Sequence, residues 1–112
     1  MTDNTEFVTV WTTVGKEADA DALASALVEE RLAACAQRWP IRSVYRWKGR
    51  VEKDDEILLV AKTRRELADE TVAFVKARHG YETPEILVMP VRDGWRPYLD
   101  WIATETRDAT AL

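Results

Sequence analysis

The chain reads as an α+β fold: helices packed on an antiparallel sheet in the order β-α-β-β-α-β, with one extra helix at the end. Three observations lead there. Two windows, around Ala20–Leu27 and Leu67–Val75, carry apolar residues at helical spacing. Each lies between extended stretches rich in β-branched and aromatic residues. Between the second and third of those stretches stands Lys48-Gly49, a tight-turn dipeptide that joins them as a hairpin.

The first strand is Phe7-Val8-Thr9-Val10-Trp11-Thr12-Thr13-Val14, whose apolar residues on both alternating faces make it central rather than an edge. Gly15 breaks it. The helix that follows has Glu17, Asp19 and Asp21 in its first turns, where negative charge suits the macrodipole. Ala20, Leu23, Ala24 and Leu27 form its apolar stripe, which Val28 and Leu32 widen. Small residues, Ala33 to Ala36, lead into a second strand from Cys35 to Trp47, in which Pro40 marks an edge, a bulge or a bend. The third strand, Arg50 to Lys62, starts with a charged half (Glu52 to Glu56) that projects beyond the core. It continues as Ile57-Leu58-Leu59-Val60-Ala61, buried on both faces.

Thr63-Arg64-Arg65-Glu66 fits a capping box, in which hydroxyl and carboxylate satisfy each other's backbone N–H groups. The helix it opens carries Leu67, Thr71, Phe74 and Val75 on one face and ends near His79. Pro84 to Val91 is the fourth strand, with Ile86, Leu87, Val88 and Met89 apolar on both faces. Asp93-Gly94 turns the chain, and Pro97 takes the first position of a last short helix whose Tyr98, Leu99, Trp101 and Ile102 pack back. The order defines a ferredoxin-like split βαβ sandwich with an extra C-terminal helix. One domain is expected over residues 1–112, ordered over about 6–107, with a loose start and a tail from Asp108 to Leu112.

A chain of 112 residues buries a real core without staples. Its formal charge of -4 argues against nucleic acid or an anionic membrane as partner. No apolar run reaches the roughly 18 residues that a membrane span needs. The start, Met1-Thr2-Asp3-Asn4-Thr5-Glu6, lacks a signal-peptide pattern, and one cysteine, Cys35, excludes an intrachain disulfide; a reducing cytoplasm is the expected location. Five tryptophans point to burial against another chain.

Most of the chemistry converges on His79-Gly80-Tyr81-Glu82-Thr83-Pro84-Glu85-Ile86, which holds the only histidine. A neutral imidazole is a good metal ligand, with Glu82 and Glu85 as oxygen partners. The structural alternative is a helix-terminal His on the last carbonyls. Tyr45, Trp47, Tyr81 and Trp101 suit the walls of a small-molecule pocket, with Lys62, His79 and Glu85 as its polar groups; core and interface packing is the other reading of the aromatics. Lys62, Arg64 and Arg65 cluster where a strand meets a helix N-terminus. Two arginines in a first turn oppose the macrodipole, so the cluster reads as an anion site for phosphate or carboxylate, against a solvated charge face. Cys35 reads as a small core hydrophobe. No Gly-x-Ser-x-Gly elbow or phosphate-binding Gly-rich loop supports hydrolysis, and the Lys/Arg-Gly-Phe-Gly-Phe pattern of RNA-binding relatives of this fold is absent.

Several motifs in order carry a resemblance: Arg31-Leu32-Ala33-Ala34-Cys35, Ser43-Val44-Tyr45-Arg46-Trp47-Lys48-Gly49, Glu56-Ile57-Leu58-Leu59 through Lys62-Thr63, the His79–Ile86 block, and Tyr98-Leu99-Asp100-Trp101. Together they resemble the CutA family of divalent-cation tolerance proteins over nearly the whole chain. The resemblance implies a homotrimer like that of the PII-type signalling proteins, with neighbouring sheets joined through the long hairpin. It also implies a link to copper and other divalent cations, with no reaction attached. In some members copper is held by a Cys at the end of the first strand and two adjacent His after the second helix. Thr12 and Arg78 stand at two of those positions here and only His79 remains, a set that does not suit copper. The family's Pro after His is Gly80, which suits a left-handed position after the helix end.

The expected function is therefore a trimeric binding or regulatory module in divalent-cation tolerance, more a binder than a catalyst. Its ligand is Cu(II) or another divalent cation, not required for folding. A PII-like small-molecule or anion sensor is the first alternative. An enzyme using His79 with Glu85 or Tyr81 is the second, and an assembly protein the third.

Overall fold

The computed structural model describes residues 6–109, so the expectations for Met1–Thr5 and for the end of the tail fall outside it. Phe7–Val14 forms β1, Glu17–Glu29 α1, Cys35–Trp47 β2 and Arg50–Arg64 β3. A single 3-10 turn, Arg65–Leu67, leads into α2 (Ala68–Arg78), followed by β4 (Ile86–Pro90) and α3 (Arg96–Glu105). The sheet order is β2-β3-β1-β4, antiparallel throughout. No helix among the described residues is long and apolar enough to cross a membrane.

β1 is central as its two-sided apolar pattern predicts, with Val10 opposite Ala61 on one side and Val88 on the other. Successive side chains of a strand point to opposite faces. Val8, Val10 and Val14 therefore share a face with Ile57, Leu59 and Ala61, and α1 (Ala20, Leu23, Leu27) and α2 (Val75) cover it to make the main core. Phe7 points the other way, where Leu99 and Ile102 of α3 join it and Ala34 in a second, smaller cluster. Much of the rest of that second face stays open, although Thr13 and Val60 within it are buried. There Trp11 and Trp39 meet edge to face at 6.3 Å, and Leu87 and Met89 of β4 are 47% and 40% exposed.

The β2–β3 hairpin runs in register from Cys35 opposite Lys62 to Trp47 opposite Arg50. Its turn has positive φ at both central residues, 50° at Lys48 and 80° at Gly49. That is the two-residue hairpin geometry whose twist matches the flanking strands. Past Glu56 the hairpin leaves the core as an arm, with Val44 and Val51 exposed. Pro40 sits in β2, an edge strand, where a missing N–H is tolerated.

Three local expectations are corrected. Thr63 does not cap a helix: it stays in β3 opposite Val8, and neither the 3-10 turn nor α2 has a side-chain cap. The strand ladder runs on to Arg64 opposite Phe7, and the β-branched side chain belongs to the covered face, so the ladder wins over the cap. Val28 does not widen the α1 stripe; it lies one residue, hence about 100°, from Leu27 and is 41% exposed. Leu32 is buried because the chain reverses at Arg31, which adopts φ 58°. Arg31 N–H donates to the Val28 carbonyl and Leu32 N–H to the Leu27 carbonyl, both at 3.0 Å, the paired pattern of a left-handed helix end. The α2 end has no such turn: His79 is extended (φ -82°, ψ 139°) and Gly80 is outside the left-handed region. β4 is apolar on both faces, but as an edge strand it leaves Leu87, Val88 and Met89 exposed in the single chain.

Candidate ligand site

The His79–Glu85 segment packs where β1 ends, against Gly15 and the root of the arm. His79 Nε2 lies 2.7 Å from the Thr13 carbonyl oxygen, and its Nδ1 receives the Tyr81 N–H at 3.1 Å. A carbonyl only accepts and an amide N–H only donates, so the ring is the neutral Nε2–H tautomer with both nitrogens engaged. The Tyr81 ring tilts over the imidazole at 4.8 Å, and its hydroxyl donates to Glu56 at 3.0 Å. Glu56 is 9% exposed although it closes a charged run. A Cβ on Gly15 would stand 3.2 Å from the Tyr81 hydroxyl, so the glycine makes room for that contact.

Burial first, and the Glu56 carboxylate second, push the Tyr81 hydroxyl up to about 12. Tyr45 donates to Asp54, and that hydrogen bond is the main reason its hydroxyl is also raised to about 12. Glu82 approaches Lys48 of the hairpin turn at 3.8 Å, and the Lys48 ammonium lies 5.5 Å from the Trp47 ring centre. Glu85 is exposed just before β4. On the helical side, His79, Gly80, Tyr81 and Arg78 wall a cleft whose other lining includes Val14, Leu23, Ala22 and Asp19.

The other predicted pocket residues lie elsewhere. Lys62 faces Thr9 and Cys35, donates to the Tyr98 hydroxyl at 3.3 Å and stands 5.4 Å from that ring's centre. Tyr98 stacks on Trp101 at 5.6 Å. Thr9 and Thr13 are four residues apart on β1, roughly 13 Å at the rise of a strand. One chain thus gathers the candidates into two groups: Tyr45, Trp47, His79 and Tyr81 at one end of β1, Lys62 and Trp101 towards the other.

The arginine pair is drawn into structural contacts. Arg64 donates to Thr106 Oγ1 at 2.8 Å, to the Arg107 carbonyl, and pairs with Glu66, which fastens the end of α3. Arg64 and Arg65 line a shallow cleft shared with the carboxylates of Glu6 and Glu66. That balance of charge is not a cation patch.

The three positions implied for copper do not make a copper site. Thr12 is fully buried on the helix-covered face, and its hydroxyl has no hydrogen-bond partner. The Arg78 guanidinium lies 3.4 Å from the Phe74 ring centre and donates to the Phe74 carbonyl at 3.3 Å. Both nitrogens of His79 are taken. Among the described residues no group of three or more His, Cys, Asp or Glu side chains is placed to hold a metal ion. A hydroxyl in the core, a stacked guanidinium and an engaged imidazole do not fit the ion's preference for thiolate and imidazole.

Sequence reasoning missed Glu56, Gly15, Tyr98 and the Thr13 carbonyl. Glu56 had a signal, as the last charge before the apolar run of β3. The backbone carbonyl had none.

The elements and the long arm define a ferredoxin-like α+β sandwich with one helix-covered sheet face and one largely open. The chain belongs to the CutA1 divalent ion tolerance protein family, whose model matches residues 8–105. It is 46% identical over 95 residues to the divalent-cation tolerance protein CutA of Thermus thermophilus, covering 84% of this chain and 92% of that one. It is 40% identical over 103 residues to the chloroplastic protein CutA 1 of Oryza sativa, covering 91% of this chain but only 58% of that longer protein. The crystal structure of CutA1 from Oryza sativa superposes with a TM-score of 0.90 at 39% identity, covering 94% of this chain and 97% of the other.

Proposed function

We propose that this chain acts as a homotrimeric binding or regulatory module in cytoplasmic divalent-cation tolerance, and not as a catalyst. The observation that carries the assembly is the open sheet face: Trp11, Trp39, Leu87 and Met89 form an apolar surface beside a projecting arm. Exposed patches of that kind mark association sites. Family membership supports the cation, and the free Cys35 supports a reducing compartment.

The ligand site is composite. Tyr45, Trp47, His79, Tyr81 and Glu85 of one subunit meet Lys62 and Trp101 of a neighbour across the subunit boundary, which brings together two groups that one chain keeps apart. A divalent cation or a small molecule binds there. Cu(II) needs ligands that Thr12, Arg78 and His79 do not supply within one subunit. The PII-like reading, a small anion as ligand, draws on Lys62, whose ammonium has donors beyond the one given to Tyr98.

Light scattering tests the assembly: a trimer is expected, and a monomer at micromolar concentration sinks both it and the composite site. Calorimetric titration with Cu(II), Zn(II), phosphate and ATP tests the ligand. Heat from a cation alone supports the tolerance reading, and heat from phosphate or ATP alone replaces it with the sensor.

A further inference from the structure

We infer that His79 is a positioning residue and not a cation ligand: fixed as its Nε2–H tautomer, it ties the end of β1 to the loop and sets Tyr81 on Glu56 at the root of the arm. The inference deepens the proposed site by saying what holds its Tyr81 wall. It rests on contacts within one subunit.

Valence carries the argument. A neutral imidazole offers one N–H and one lone pair. The N–H points at the Thr13 carbonyl, 2.7 Å away, on a residue that is itself buried. The lone pair takes the Tyr81 N–H at 3.1 Å. A cation on Nδ1 displaces that amide. A cation on Nε2 first removes the proton and then crowds the carbonyl. The adjacent Arg78 offers no ligand in its place, since its guanidinium is permanently cationic and lies on the Phe74 ring.

What the ring does instead follows from spacing. A bond from the N–H of residue i+2 to the side chain of residue i folds the backbone into a tight turn, as Asx residues do elsewhere. That turn brings the Tyr81 ring back over the imidazole at 4.8 Å and aims its hydroxyl at Glu56. Glu56 is the point where β3 passes from core to arm. Beside it, Glu82 reaches the hairpin turn at Lys48. His79 therefore governs how the loop docks on the arm, the element that the proposed trimer uses to reach its neighbour.

Nitrogen NMR of the full chain, recorded where the ring is neutral and with Zn(II) as the probe, gives the test. The expected spectrum shows the Nε2–H tautomer, and one equivalent of Zn(II) leaves both ring nitrogens in place. An Nδ1–H tautomer overturns the inference, as does a ring signal that moves with stoichiometric Zn(II). Three variants separate positioning from packing. His79→Asn keeps an acceptor where Nδ1 stands, His79→Gln keeps a donor where Nε2 stands, and His79→Ala keeps neither. Amide exchange at Tyr81 is expected to rise about 10-fold in His79→Ala and His79→Gln, the scale of one lost hydrogen bond, and to stay within about 2-fold in His79→Asn. Equal exchange in the Asn and Gln variants overturns it, and that comparison stands even if the Ala variant fails to fold. A monomer in solution would sink the composite site but leave this result untouched.

Discussion

The two faces of the sheet share the same strands and have opposite fates. On one, Val8, Val10, Leu59 and Ala61 lie under α1 and α2 and are almost wholly buried. On the other, α3 covers only the end near Phe7, and Trp39, Leu87 and Met89 remain open. The residue types hardly differ, since both faces of β1 and β3 are apolar. What differs is how much helix the chain supplies to each side. The covered face is where one chain gains its folding free energy. The open face holds unspent apolar area that a second copy can bury.

The sharpest break of this contrast is a truncation on each side. Leu59→Ala on the covered face should lower stability by about 2–5 kcal/mol, as truncated buried leucines do. Leu87→Ala on the open face should cost the isolated chain far less, within about 0.5 kcal/mol. Denaturant unfolding at a concentration where the chain is monomeric reads both. Equal losses would mean that the two faces are buried alike in the single chain.

Charge on the open face is the next test. Trp39→Lys places an ammonium where Trp11 meets it edge to face. It should shift the mass from that of the proposed trimer towards monomer in light scattering, with helix content by circular dichroism unchanged. A trimer that persists moves the association surface elsewhere.

Alkaline pH probes the boundary between core and arm. The Tyr81 hydroxyl is raised from 10.0 to about 12, first by burial and then by Glu56. The folded state thus holds this proton more tightly than the unfolded one. Its contribution is fully present below pH 10 and is lost as pH rises from 10 towards 12. Tyr81→Phe should flatten that decline in an unfolding series across the window, with the Tyr45 hydroxyl left to account for what remains. An unchanged decline would mean that neither burial nor Glu56 holds the Tyr81 proton in solution.

Much of the fold was legible because its signals are local or periodic. Lys48-Gly49 announced the hairpin turn, and the two-sided pattern of β1 announced its central place. The failures come from competition that a short window does not show. Thr63-x-x-Glu66 is a valid capping pattern, yet pairing with Val8 keeps Thr63 in the sheet. Nothing in Arg31 itself announces a left-handed helix end; its side chain also donates to the carbonyls of Thr104 and Glu105, contacts more than 70 residues away. The site was half legible. His79, Tyr81 and the aromatic residues stand out by type, but the partner that orients His79 is the backbone of Thr13, which any residue would provide. That Lys62 belongs with Tyr98 depends on which face α3 covers, and periodicity does not choose a face.

The smallest expected effect concerns Thr12. It lies on the covered face between Val10 and Val14, fully buried, with its hydroxyl unpaired. A buried hydroxyl without a partner costs its desolvation, so Thr12→Val, which keeps the shape, should stabilise the chain by about 1 kcal/mol. Thr71 supplies the control. It is equally buried, but its hydroxyl donates to the Leu67 carbonyl at 2.8 Å. Thr71→Val gives up that bond along with the hydroxyl and should therefore gain less than Thr12→Val, or lose stability. The reverse order in thermal unfolding would mean that Thr12 has found a partner, such as a buried water, and that the covered face is less purely apolar than its neighbours make it.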